Sequence, residues 1–216
     1  MADYKKPDYW QLKARSEGYP ARSVYKLKEM DEKFGLLKAA PKAPAASSKA
    51  TFRVLDLGAA PGSWSLYILR AKPGILLVSA DLSPLSREHD KGLFDSSGFI
   101  FVQGDITDPA IRDTILSQGP YNLIISDAAP STTGNRFVDS SRSLELAEAV
   151  VAYGETALAK NGNLVLKLFQ GGDSQELLKR MKSLFKTAKN YKPDACRSDS
   201  FEVYCLGLGL NSIVQS

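Results

Sequence analysis

The 216-residue chain has little of what metal and nucleophilic chemistry most often needs: one histidine and two cysteines. Cys196 and Cys205 make no disulfide framework, and with His89 they give no zinc-ligand spacing, so no metal site is expected. A lone histidine also weakens any Ser-His-Asp arrangement, and nothing near either thiol supplies a base. His89 lies in the polar stretch "SPLSREHDKG" and is expected on a surface loop. Long apolar runs are missing too, so nothing approaches a membrane span. The opening residues, "MADYKKPDYWQLK", lack the apolar centre of a secretory signal and the Arg/Ser-rich, acid-poor character of a transit peptide. The expectation is a cytoplasmic, monomeric protein with no membrane partner.

What is present is the composition of one globular domain, 44% hydrophobic and 24% charged. The net charge of +4 is unevenly spread. Residues 1–53 carry twelve Lys/Arg against six acids, and "KRMKSLFKTAKNYK" (179–192) carries six Lys/Arg and no acid. Between them, residues 54–178 hold nine Lys/Arg against fifteen acids. Two basic segments flanking an acidic middle point to a polyanion held beside a site with a different task.

Residues 8–38 have helical spacing, with Val24, Leu27, Met30 and Phe34 on one stripe and Gly35 as a stop. The organisation expected is a basic helical extension over 1–37, an Ala/Pro/Ser/Lys-rich linker or insertion over 38–50, and one domain over 51–216. That domain alternates strand and helix: "FRVLDLG", "GILLVSADL", "GFIFVQGDI", "YNLIISDAA" and "GNLVLKLFQ" read as strands, with helical stretches between them. Near-continuous apolar strands alternating with helices predict an α/β fold, a mostly parallel sheet covered on both faces. The final "FEVYCLGLGL" can join as an antiparallel edge.

Ligands of such sheets bind beyond the carboxyl ends of the strands. "VLDLGAAPGSWS" supplies Gly58 and Gly62 for a tight turn, and three acids, Asp56, Asp81 and Asp105, fall at three successive strand ends. A dinucleotide phosphate would avoid such acids, whereas a cationic cofactor would welcome them. S-adenosylmethionine fits this set better than NAD does: Asp81 suits ribose hydroxyls and Asp105 an adenine amino group. A fourth strand delivers Asp127 to its tip in "SDAAP", with alanines that leave room for a ribose. Lys167 sits among apolar neighbours in "LVLKLF", a costly place unless it is paired or neutral.

The ordered set "GYPARSVYKL", "DLGAAPGSWS", "DLSP", "QGDITD", "SDAAP", "LVLKLFQG" and "KPDACRSDSFEVY" resembles the FtsJ/RrmJ family of S-adenosylmethionine-dependent ribose 2′-O-methyltransferases, from about Gly18 to Gly207. The resemblance implies a Rossmann-like class I methyltransferase fold with a seven-stranded sheet. It implies cofactor contacts at Gly62, Trp64, Asp81 and Asp105, and a catalytic tetrad of Lys26, Asp127, Lys167 and Glu202. Ser63 departs from the second glycine that members often carry. The implied substrate is a uridine of large-subunit ribosomal RNA, with tRNA anticodon-loop riboses as the alternative. An oxidoreductase or an inert RNA-binding module are the readings from other classes. Lys13, Arg15 and Arg22, and Lys179, Arg180 and Lys182, are the expected phosphate contacts, with Tyr19, Tyr25 and Phe169 available for stacking on bases.

Overall fold

The computed structural model describes residues 8–38, 52–171, 174–197 and 200–211, so the stretch expected as a linker lies, apart from Lys38, outside the described residues. Seven strands form one sheet: β1 (Arg53–Leu57), β2 (Leu76–Asp81), β3 (Phe99–Gln103), β4 (Tyr121–Ser126), β5 (Leu158–Phe169), β6 (Phe185–Tyr191) and β7 (Glu202–Leu210). Their order is β3-β2-β1-β4-β5-β7-β6. The first five run parallel, and β7 is antiparallel to both β5 and β6. "FEVYCLGLGL" is therefore an interior strand. The edge is β6, which lies inside the basic run 179–192; its exposed Lys186 and Lys189 are charges of the kind that discourage edge-to-edge pairing.

Helices α1 (Tyr9–Ser16), α2 (Val24–Phe34) and α3 (Ser63–Ala71) cover one face. Helices α4 (Pro109–Ser117), α5 (Arg136–Ala157) and α6 (Ser174–Leu184) cover the other. Strand alternation sorts the core accordingly. Leu123, Ile125, Val165, Tyr204 and Leu206 face the first layer, whereas Ile124, Leu164, Leu166, Val203 and Cys205 face the second. The long helix ends at Ala157, and β5 begins at once with Leu158, earlier than the expected "GNLVLKLFQ".

The stripe read on α2 is buried: Val24, Leu27 and Met30 share one cluster with Trp64, Leu66 and Ile68 of α3. The basic N-terminal segment is thus packed onto the sheet through the same core as the methyltransferase-like motifs. Gly35 ends α2 with a left-handed conformation, as its lack of a Cβ permits. The start of α2 is held by α3. Ser63, the residue that departs from glycine, accepts the Ala21 N–H at 2.8 Å, and Trp64 Nε1 donates to the Ser23 carbonyl at 2.8 Å.

Leu27 is 1% exposed on the helix that carries Lys26. Replacing it with alanine should cost about 2–5 kcal/mol by leaving a cavity. A urea titration of Leu27→Ala should show a lower midpoint with an unchanged slope.

Candidate active site

Lys26, Asp127, Lys167 and Glu202 come together on one face of the sheet. Pairing β4 with β5 sets Ile125 opposite Val165, and pairing β5 with β7 sets Lys167 opposite Tyr204 and Phe169 opposite Glu202. Because residues two apart share a face, Lys167, Phe169, Glu202 and Tyr204 all project toward the α2 side. Asp127 follows the end of β4 in phase with Leu123 and Ile125, and α2 brings Lys26 down onto this row.

Lys167 Nζ lies 3.0 Å from Asp127 Oδ1 and donates to the Asp127 carbonyl at 2.6 Å. Lys26 Nζ lies 2.7 Å from Glu202 Oε1. The four side chains are only 10–17% exposed, so water does little to screen them. Burial disfavours a charged Lys26, but the Asp127 and Glu202 carboxylates outweigh it and raise its pKa, so the ammonium persists. Burial likewise opposes ionisation of Asp127. Lys167, Lys26 and the Tyr204 hydroxyl prevail and hold its carboxyl below the usual range.

Beside this cluster, at the carboxyl ends of β1 to β4, lies a cavity of about 440 Å³. Gly58, Asp81, Asp105, Asp127 and Lys167 line it, together with the apolar Pro61, Leu82, Ile106 and Leu146. Asp81 accepts the Ala60 N–H at 2.9 Å and the Ser83 N–H at 2.8 Å, one on each oxygen, which leaves further lone pairs for a ligand. Asp105 accepts from the Thr107 N–H and hydroxyl, which hold its carboxyl below the usual range. Gly58 has φ +75, and a Cβ there would stand 2.5 Å from the Ala128 Cβ. The small Ala128 therefore serves close packing of two loops, and Ala129 is the exposed alanine on the cavity wall. An acid-rimmed cavity with apolar flanks fits a cationic nucleoside and is a poor phosphate cradle.

The profile of the FtsJ-like methyltransferase family matches residues 19–210. The chain belongs to this family. It is 47% identical over 207 residues to the ribosomal RNA large subunit methyltransferase E of Treponema denticola, covering 95% of this chain and 96% of that protein. The Treponema pallidum protein of the same name is 41% identical, covering 94% of each. Among solved structures, a Plasmodium falciparum protein assigned as a ribosomal RNA methyltransferase superposes with a TM-score of 0.69 at 24% identity, over 89% of this chain and 98% of that one. A human methyltransferase-like protein 13 superposes at 0.54 and 13% identity, over 88% and 81%. At those identities the likeness is one of fold, a Rossmann-like methyltransferase fold. The methyl donor of this family member is S-adenosylmethionine.

Other residues singled out in the sequence lie elsewhere. Gly62 is not in the wall of the 440 Å³ cavity; Trp64 is 2% exposed, fastens α2, and borders a small recess shared with Gly58, Ala60, Pro61 and Asp127 of that wall. Asp56 is fully buried behind the cavity, where Ser65 Oγ donates to its Oδ2 at 2.7 Å and its Oδ1 has no partner among the described residues. Burial pushes its pKa up to about 7. His89 is half-buried in its loop. Arg22 is paired with Asp8, and Lys13 Nζ sits 4.8 Å from the Tyr25 ring, both on the tetrad's side of the sheet. Arg15 is exposed in the last turn of α1. Tyr19 and Tyr25 are core residues. Lys179, Arg180 and Lys182 ride on α6, in the opposite helical layer, and are not brought to the tetrad. Lys179 pairs with Glu176 there, and Arg180 forks onto Glu155 at 2.7 and 3.0 Å.

Sequence reasoning missed Tyr204. Its hydroxyl donates to Asp127 Oδ1 at 2.6 Å from a fully buried side chain. The signal was present in "FEVY", where alternation puts Tyr204 on the face of Glu202.

Tyr204→Phe removes a bond to the charged form of Asp127 and should move the acid limb of the rate–pH profile to higher pH. Stability at neutral pH should fall by about 1–3 kcal/mol, read in a denaturant titration. Asp56 has the opposite sign. A carboxyl whose pKa is raised by folding contributes fully below its unfolded value and loses that contribution as pH rises toward 7. Asp56→Asn should therefore gain stability relative to the parent between pH 4 and pH 7, by at most about 4 kcal/mol, and no further above that range.

Proposed function

We propose that this protein methylates the 2′-hydroxyl of a ribose in RNA, and that the RNA is large-subunit ribosomal RNA with a uridine as acceptor. The observation that carries the reaction class is the buried Asp127–Lys167 pair at the edge of the cofactor cavity. The RNA class rests on the Treponema relatives, whose names specify large-subunit ribosomal RNA, and the uridine on the family resemblance.

S-adenosylmethionine, when bound, supplies an electrophilic methyl carbon on a positively charged sulfur. The chain's part is to hold the hydroxyl and take its proton. Two tetrahedral positions of Lys167 Nζ are directed at Asp127, through the carboxylate and the carbonyl. Those contacts fix the amine and leave its remaining positions to the incoming 2′-hydroxyl. As the O–C bond forms and the C–S bond breaks, the hydroxyl proton passes to the Lys167 amine, which has first given up one proton to water. Lys26 remains an ammonium tied to Glu202, and its positive charge favours the developing alkoxide. No aromatic follows Asp127 in "DAAPST", so the loop offers no stacking platform for a base, which favours a ribose hydroxyl over an exocyclic amine.

The test uses methyl-labelled S-adenosylmethionine with unmodified large ribosomal subunits, naked ribosomal RNA or tRNA, followed by alkaline digestion. Label should survive in alkali-resistant dinucleotides from ribosomal RNA, and Lys167→Ala should be slower by about 10²–10⁴-fold. Label in tRNA alone would replace the substrate, and label in alkali-labile mononucleotides would refute ribose methylation.

A further inference from the structure

A second cavity, of about 390 Å³, opens on the other side of the tetrad. Lys26 and Glu202 stand in its wall, and Ser23 lines both it and the cofactor cavity. Its far wall is aromatic: the rings of Phe169 and Phe201 lie 4.8 Å apart at 57°. Phe169 is 8% exposed and Phe201 half-buried, yet neither belongs to either hydrophobic core cluster. Both rings stand in the cavity wall. The guanidinium of Arg136, the first residue of α5, lies 5.1 Å from the centroid of the Phe201 ring. Arg22, Lys26 and Arg197 also line the cavity, against Glu202 as its one carboxylate among the described lining residues. The neighbouring wall at Thr132 is steadied by Asp139, which accepts the Thr133 N–H at 2.7 Å and the Thr133 hydroxyl at 2.8 Å.

We propose that this cavity receives the base of the very nucleotide whose ribose is methylated, stacked on the Phe201–Phe169 pair. The inference rests on the RNA-ribose reading given above. Strand alternation supports it: Phe169 lies two residues beyond Lys167 on the same face, so a nucleotide with its ribose at Lys167 has an aromatic surface one step farther out. The cationic rim suits a nucleotide phosphate, and a flat aromatic wall accepts any base face, as in other single-stranded sites. On this arrangement the acceptor base is turned out of its helix or loop, and the protein grips it by stacking.

The test compares Phe201→Trp, Phe201→Leu and Phe201→Ala on the ribosomal RNA that the wild-type protein labels. Trp should keep kcat/KM for RNA within a few-fold, whereas Leu and Ala should each lower it on the order of ten-fold. Unchanged affinity for S-adenosylmethionine shows that the variants are folded. Ribosomal RNA assembled by splinted ligation with the acceptor base deleted should be a similarly poorer substrate for wild type, but no poorer than intact RNA for Phe201→Ala. Leucine performing as well as phenylalanine, or wild type indifferent to base removal, overturns the base pocket and leaves ribose methylation standing. No ribose label from wild type on any RNA overturns the functional reading, and this pocket with it.

Discussion

The structure depends on a formally neutral cluster of two lysines and two carboxylates enclosed where α2 meets the ends of β4, β5 and β7. Each ion in it is held against a desolvation cost of several kcal/mol by a partner on another element. Lys167 is answered by Asp127 from the neighbouring strand, and Lys26 by Glu202 from the strand beyond. Removing one member strands another, so α2 is bound to the sheet electrostatically as well as by its apolar stripe. This accounts for a helix placed before the first strand belonging to the site: without Lys26, Glu202 would lose the ammonium that stands 2.7 Å from its carboxylate.

The surroundings serve that cluster. Ser63 and Trp64, in the first turn of α3, hold the entry to α2, and so the loop after β1 that borders the acid-rimmed cavity also sets where Lys26 stands. Gly58 lets this loop approach Ala128 closely, which fixes the loop that follows Asp127. Tyr204 adds a neutral donor to a carboxylate already facing two cations, securing its charge and its orientation. The acid-rimmed cavity, the ion cluster and the aromatic cavity then lie side by side. Asp127 and Lys167 stand in the wall of the first cavity, and Lys26 and Glu202 in the wall of the second.

Charge is partitioned in the same way. Acids rim the 440 Å³ cavity, and arginines line the aromatic one. The lysines of α6 and β6 lie on the opposite layer and the sheet edge. There two cations of α6 are engaged with Glu176 and Glu155, and the β6 lysines protect a strand edge. A basic run in sequence is thus divided by secondary structure into charges with local partners and charges that discourage association.

The sequence by itself determined the α/β class, most strands, the stripe on α2 and all four members of the ion cluster. The class, the strands and the stripe follow from hydrophobic periodicity, and Asp127 and Lys167 from polar residues stationed on apolar strands, which are local patterns; Lys26 and Glu202 came only with the family resemblance. It did not reveal β6, since "KTAKNY" has none of the apolar signal of a buried strand and is a strand only because β7 offers it a partner. Nor did it assign Tyr204 to Asp127. That contact depends on which side chains meet across a β4-β5-β7 neighbourhood, between residues 77 apart in the chain. Tertiary structure alone decided that the Lys179–Lys182 segment faces away from the site while Phe201 faces into it. Which layer a helix covers is set by chain crossover, and no residue of α6 carries that information locally.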